Sequence, residues 1–170
     1  RGTLQFAALA RAGYPGRNLG KTTLPQIKSL GVWNAAKQQD WGLDWHRDTG
    51  IEITYVSRGQ TAFGVDQQWY QLKRDVVAIT RPWQWHRIGR PNVGAARLHW
   101  LILDVEALRP HQPWRWPDWL LFAPADLQRL TKRLRHNENP HRHATPAVRR
   151  SFVNLAQRIE AADQPIDVTR

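Results

Sequence analysis

The stretch that decides the fold begins at residue 41 and reads WGLDWHRDTGIEITYVSRGQ to residue 60, then resumes at residue 70 as YQLKRDVVAITRPWQWHRIGR to residue 90. Two runs in it, 51–57 and 76–80, are rich in β-branched and aromatic residues. Such runs are typical of β-strands. We predict that they form the centre of a small β-barrel whose mouth carries polar and aromatic groups.

Further short runs of this kind surround the central pair. Arg58-Gly59 is expected to end the strand at 51–57, and residues 66–68 to form the turn of a hairpin. Many short strands separated by turn residues favour a sandwich or barrel. The predicted outer strands are 26–36, 41–45, 61–65, 69–72, 83–88 and 95–105.

The pattern becomes helical after the strands. Asp126 begins one helical pattern, and Thr145 with Pro146 forms a typical start for a second helix that runs to residue 161. The second helix has an apolar stripe, which either packs on the barrel or pairs two copies of the chain. The stripe consists of Val148, Phe152, Leu155, Ala156 and Ile159.

Composition sets broad limits. A chain of 170 residues is long enough for one domain with a real core. The net charge is +11, but its basic residues are spread along the whole chain, which does not favour a nucleic-acid surface. The sequence contains no Cys, no stretch long enough to span a membrane and no signal-peptide pattern, so we expect a cytoplasmic protein. It begins at Arg1 and contains no Met, which suggests a fragment of something longer.

Imidazole and carboxylate groups flank the central strands. His46 and Asp48 precede the first strand, Glu52 lies on it, and His86 follows the second. If these groups converge inside a barrel, they suit a divalent metal. The alternative is that both histidines make ordinary hydrogen bonds at the rim and Glu52 pairs with an Arg.

The order of these residues resembles the cupin pattern, in which His-x-His, a Glu and a Gly are followed later by a Pro and a last His. This chain matches at His46, Glu52, Gly59 and His86. It departs where Asp48 replaces the second His, and where Trp83 replaces the Gly before the last His. The resemblance implies a cupin-like double-stranded β-helix, or jelly-roll barrel, mainly β, with the C-terminal helices as an appendage. It also implies metal ligands at His46, Glu52 and His86, with Asp48 as a fourth.

A second resemblance covers nearly the whole chain. The runs HRDTGIEITYVSRGQ, RDVVAITRPWQWHR and LHWLILD are similar to the N-terminal ligand-binding domain of AraC-type transcription regulators. In that family a cupin barrel is followed by dimerisation helices, a linker and a DNA-binding domain. The resemblance implies an arm at 1–24, a barrel at 25–124, a helical dimerisation segment at 125–162 and a linker at 163–170. The DNA-binding domain, with its helix-turn-helix motifs, would lie beyond this chain.

The same resemblance implies what the chain binds. A small effector, expected to be a carbohydrate, would sit in the barrel, with residues 1–24 as a lid. His46, Glu52, His86, Trp45 and Trp100 are expected to contact it, since an indole ring suits the C–H surface of a sugar. The alternative for Trp100 is a core position. The chain is then expected to be a homodimer, to contact DNA only through the further domain and to have no membrane partner. The expected dimer contacts are Val148, Phe152, Leu155 and Ile159.

Two other functions are left open by the sequence. A metal-dependent cupin enzyme, such as a sugar isomerase or a dioxygenase, would use His46, Asp48, Glu52 and His86. A stand-alone carbohydrate-binding module would lack any DNA-binding extension. Because no nucleophile–base pair is visible in the sequence, we expect a regulator without catalysis. We expect no cofactor, and a bound divalent metal is the alternative left open.

Overall fold

A computed structural model describes residues 4–11, 13–20, 22 and 24–162. It contains ten strands and two helices, with the last strand between the two helices, which confirms the predicted mainly β fold with a helical appendage. The predicted linker at 163–170 lies outside the described residues. The strands are β1 Leu4–Ala10, β2 Arg17–Asn18, β3 Ile27–Ala35, β4 Leu43–His46, β5 Gly50–Val65, β6 Gln68–Lys73, β7 Val76–Thr80, β8 His86–Ile88, β9 Ala96–Asp104 and β10 His141–His143; the helices are α1 Pro124–Arg135 and α2 Pro146–Ala162.

The long strand β5 joins two sheets. Its first half pairs with β7 and β9, and its second half pairs with β6 and β8. The register with β9 shifts between Val56 and Arg58, and Gly59 adopts a φ of +73°. A Cβ atom at Gly59 would lie 2.0 Å from the carbonyl oxygen of Ala95. The prediction that Arg58-Gly59 ends the strand is therefore wrong, because the chain bends at this glycine and the strand continues.

The two sheets face each other without closing into one ladder. The first has the order β10-β7-β5-β9-β3-β1-β2, and the second is formed by β6, the end of β5, β8 and β4. The outer strands β10 and β2 do not pair with each other. The predicted closure of the strands on themselves is therefore not observed, and two opposed sheets with a space between them stand in place of a closed barrel.

Part of the predicted arm belongs to the first sheet. β1 pairs antiparallel with β3 from Leu4 opposite Ala35 to Ala10 opposite Ser29. Ala7, Ala8 and Ala10 are buried, because small side chains allow the neighbouring layers to approach. Residues 4–10 of the expected arm therefore form a regular strand.

Helix α2 covers the outer face of the first sheet. It begins as predicted, with the amide of Val148 donating to the Thr145 hydroxyl at 3.3 Å. The Phe152 ring stacks on Tyr55 of β5 at 5.5 Å, and Ile159 is buried in a cluster with β1 and β3.

This packing corrects the dimer assignment. Phe152 and Ile159 are buried against their own sheet, and Val148 and Leu155 are half-buried there. A stripe engaged within the chain is not offered to a second copy, so the packing alternative given above is the one observed for these four residues.

The remaining C-terminal elements lie on the surface. Helix α1 starts two residues before the predicted position and has no buried residue. β10 pairs antiparallel with β7. None of the described helices is both long enough and apolar enough to cross a membrane.

Candidate ligand-binding and metal site

A cavity of about 510 Å³ lies between the two sheets. Its volume is within the range of small-molecule sites. Every residue that the sequence singled out for ligand or metal binding lines it. These residues are Trp45, His46, Asp48, Glu52, His86 and Trp100.

Strand alternation places these side chains. Glu52 and Thr54 point into the cavity from β5, and Leu98, Trp100 and Ile102 point into it from β9. The sequence alone did not indicate which face of the last strand would point inward.

The second sheet supplies the two histidines. His46 of β4 is paired directly with His86 of β8. Because adjacent strands present paired residues side by side, the two imidazoles lie together, with ring centroids 4.3 Å apart.

His46, Glu52 and His86 form a cluster of possible metal ligands. One ligand atom from each lies within 4.8 Å of the other two. Nδ1 of His86 lies 2.9 Å from the carbonyl oxygen of Gln84, and Nδ1 of His46 lies 2.6 Å from that of Asp44. A carbonyl can only accept, so each Nδ1 carries the proton and each Nε2 is left to accept a proton or a metal.

Glu52 and His86 form a buried ion pair. Nε2 of His86 lies 3.1 Å from Oε2 of Glu52, with the side chains 2% and 16% exposed. Burial alone would raise the pKa of Glu52, but the hydrogen bond and charge of His86 outweigh it and hold that pKa below its ordinary value. Burial would lower the pKa of His86, but Glu52 raises it above its ordinary value.

Asp48 lines the cavity but does not join the three ligands. Its carboxylate accepts hydrogen bonds from the Tyr14 hydroxyl, from the Gly50 amide at 2.9 Å and from Lys28 at 3.3 Å. Burial would raise the pKa of Asp48, but these three partners lower it below its ordinary value. The expected fourth ligand instead ties residue 14 of the N-terminal segment to the rim of the cavity.

Aromatic rings form most of the wall, and sequence reasoning missed several of them. Trp33 and Trp41 stack with centroids 4.8 Å apart, and Phe6 stacks on Trp100 at 5.7 Å. Trp33 was detectable, because it alternates along a predicted strand. The place of Phe6 depends on the long-range pairing of β1, which no local pattern indicates.

Trp100 is fixed in position by two small neighbours. Its indole N–H donates to the Ser29 hydroxyl at 2.9 Å. A Cβ at Gly31 would lie 2.5 Å from its ring, so only glycine leaves room for the indole. The indole ring of Trp100 therefore faces the cavity in a fixed orientation.

The donor set fits a divalent metal. Two imidazole nitrogens and one carboxylate oxygen match the ligands of zinc, iron, nickel or manganese sites that keep positions open. The carbonyl partners of both Nδ1 atoms supply the outer support that such ligands need. His46, Glu52 and His86 would hold the ion.

Residues 33–104 match the family model described as Cupin domain. This part of the chain is a cupin domain. It contains His46, Glu52, Gly59 and His86, the four positions on which the resemblance to the cupin pattern depends. A search of curated proteins gives no match for the chain.

Several solved cupins are similar to the chain. The cupin domain of Schizosaccharomyces pombe Cnp3 is 19% identical over 59% of this chain and 61% of that one, with a TM-score of 0.41. A cupin 2 conserved barrel domain protein from Leptotrichia buccalis is 15% identical over 61% of this chain and 42% of that one, at 0.43. A predicted oxalate decarboxylase from Thermotoga maritima is 16% identical over 60% of this chain and 92% of that one, at 0.42. The matched region thus spans less than two thirds of the first two proteins.

Proposed function

We propose that the cupin domain binds a small effector in its cavity and is the sensing half of an AraC-type transcription regulator. The observation that carries this proposal is that Phe6 and Tyr14 of the N-terminal segment form part of the cavity wall. A molecule in the cavity would contact that segment directly. Because the segment also packs in the first sheet, binding of the effector would change the stability of the N-terminal segment in its observed position.

The proposed switch needs only that the effector binds one arrangement of the N-terminal segment more tightly than another. An effector that binds better when Tyr14 is bonded to Asp48 and Phe6 is stacked on Trp100 stabilises this arrangement of the N-terminal segment. No catalysis is required. In a cytoplasmic homodimer, two such domains would then position the attached DNA-binding domains. Their pairing would use a surface other than the apolar stripe of α2.

A ligand screen tests the sensing function. Thermal shift is measured with a panel of sugars, aromatic amines and aromatic acids, because a ligand specific for the folded state raises its melting temperature. We expect a hit whose effect is lost in Glu52→Gln, inside the cavity, and kept in Asp126→Asn on α1. A ligand that stabilises both variants equally would place binding elsewhere and reject the proposal.

The regulator assignment has a separate test in the coding sequence. Two helix-turn-helix motifs are expected downstream of residue 170. An unrelated domain or an immediate stop codon there would reject an AraC-type regulator while leaving the sensing cavity in place.

The second candidate is a metal-dependent cupin enzyme, favoured by the His46–Glu52–His86 cluster. A bound ion would supply Lewis-acid chemistry. Glu52 and the two Nε2 atoms would hold it, and the aromatic wall would orient a substrate and exclude water.

Metal titration tests this candidate. We expect the purified protein, stripped with a chelator, to bind one Zn²⁺ or Mn²⁺ by calorimetry, and His86→Ala to weaken binding about a hundredfold. His143→Ala, at an exposed position on β10, is the matched control. Equal metal affinity of the two variants would show that His86 does not bind the metal and would reject a metal site in the cavity.

A further inference from the structure

We infer that the cavity ligand is an organic cation, a molecule with an ammonium or amidinium group on an apolar frame. This inference rests on the proposed binding of a small molecule in the cavity, and it names the chemical class of that molecule. It differs from the neutral sugar expected from the sequence.

The first argument is the charge of the lining. The chain has 25 Lys and Arg residues against 14 Asp and Glu. Among the described residues that line the cavity, however, the formally charged ones are Asp44, Asp48 and Glu52, with no Lys or Arg. A carboxylate or phosphate ligand would lose its hydration there without gaining a Lys or Arg partner from these residues, and the imidazole of His86 is already paired with Glu52.

The second argument is the placement of the compensating cations. Asp44 pairs with Arg87 at 3.1 Å, and Asp48 pairs with Lys28 at 3.3 Å. Neither Arg87 nor Lys28 belongs to the lining, whereas Asp44 and Asp48 both do. The acidic residue of each pair is therefore the member that lines the cavity.

The third argument is the capacity that remains at Glu52. Its Oε1 accepts from the Thr54 hydroxyl at 3.1 Å, and its Oε2 lies against His86. An ionised carboxylate offers about four acceptor sites, so it has room for the N–H groups of a ligand. A charge-assisted bond to a buried carboxylate is among the stronger polar contacts available in a protein.

The fourth argument is the aromatic wall. The stacked pairs Trp33–Trp41 and Phe6–Trp100 both face the cavity. The face of an aromatic ring attracts a cation, by about 0.5–2 kcal/mol per ring, and cages of such rings recognise alkylammonium groups. Acidic groups combined with several indole faces therefore match the two requirements of an organic cation.

Three probes that share one frame and differ in charge test the inference. Phenethylamine, 2-phenylethanol and 3-phenylpropionate are titrated into the protein at neutral pH by calorimetry, with arabinose as a sugar probe. We expect the amine to bind at least about tenfold more tightly than the alcohol, and the propionate to bind most weakly. Glu52→Gln, checked for folding by circular dichroism, should reduce the preference for the amine, and Asp126→Asn should not.

Each outcome separates this inference from the proposed function. If the alcohol or arabinose binds as tightly as the amine, or the propionate binds most tightly, the cavity still binds small molecules but the cation inference is overturned. If none of the four probes binds at concentrations up to about 10 mM, both are rejected. A preference for the amine in the wild type that disappears in Glu52→Gln supports both.

Discussion

Glu52 of the first sheet lies 3.1 Å from Nε2 of His86 in the second sheet, although 34 residues separate them in the chain. This hydrogen bond joins the two walls of the cavity at the candidate metal cluster. Glu52 raises the pKa of His86 against the opposing effect of burial.

The Glu52→Gln substitution should lower the pKa of His86. The neutral amide removes the charge that favours the imidazolium, while the burial that disfavours it remains. The pKa is measured by NMR titration of the imidazole with a chelator present. Asp126→Asn is the control and should leave the pKa of His86 unchanged; an equal pKa in Glu52→Gln and wild type would contradict the ion pair.

The Gly59→Ala substitution should destabilise the fold more than Gly20→Ala. Both glycines have nearly the same φ, +73° and +71°, so the conformational cost is matched. A Cβ at Gly59 meets the Ala95 carbonyl oxygen, whereas one at Gly20 has nothing within 4 Å. We expect an additional loss of about 2 kcal/mol at Gly59, measured by urea unfolding. Equal losses would show that the bend of β5 tolerates a side chain.

The Tyr14→Phe substitution should loosen the N-terminal segment. It removes the hydroxyl that donates to Asp48, at a cost of about 1 kcal/mol. Tyr70→Phe is the matched control, because its hydroxyl bonds to Gln68 on the exposed surface. Hydrogen exchange of the β1 amides should be faster in Tyr14→Phe and unchanged in Tyr70→Phe. Unchanged protection in both variants would show that the Tyr14 hydroxyl does not stabilise β1.

His99 should make the protein less stable in mild acid. It is a buried residue of β9 whose ring lies beside Phe152 of α2, with Nε2 2.7 Å from the Ser57 hydroxyl oxygen. Burial, and secondly the charge of Arg97, lower its pKa from 6.5 to about 4. The unfolded chain therefore binds a proton at this imidazole more tightly than the folded chain does. The free energy of unfolding has its full value above pH 6.5 and decreases by roughly 3 kcal/mol as the pH falls towards 4.

The substitution His99→Gln should flatten this pH dependence. Glutamine cannot titrate, and its amide can still bond to Ser57. The free energy of unfolding is measured at several pH values between 4 and 7. His143→Gln removes an exposed imidazole and should leave the wild-type profile unchanged. A profile that is as steep in His99→Gln as in wild type would assign the acid sensitivity to other groups.

The Phe152→Ala substitution should lower the free energy of unfolding by about 3 kcal/mol, because it leaves a cavity between α2 and the sheet. The loss should be the same at low and high protein concentration, since the contact lies within one chain. Val153→Ala, on the exposed face of the same helix, should cost less than about 0.5 kcal/mol. A loss for Phe152→Ala that grew with dilution would restore the dimer assignment.

The sequence predicted the elements that depend on local signals. Thr145 and Pro146 mark the start of α2, and the run 51–57 lies within β5, because capping and alternation act over a few residues. The convergence of His46, Glu52 and His86 was predicted through their spacing, which resembles the cupin pattern. Asp48 was misplaced, since its partner Tyr14 is 34 residues away and nothing local indicates that contact.

Two of the missed features have one physical cause. Gly59 was interpreted as the end of a strand, although its neighbours in β9 and β8 allow the strand to bend and continue. β1 lies in the part of the chain expected to be an arm, although β3 provides seven paired positions for it. In both cases tertiary pairing overrides local propensity.

The pleat of β5 gives neighbouring residues opposite surroundings. Thr54 lines the cavity, while the next side chain, Tyr55, packs against Phe152 of α2. A single peptide unit therefore separates the interior of the domain from its helix. A bound molecule that displaced Thr54 would therefore also move Tyr55 and its contact with α2 through the backbone, with no intervening side chains needed.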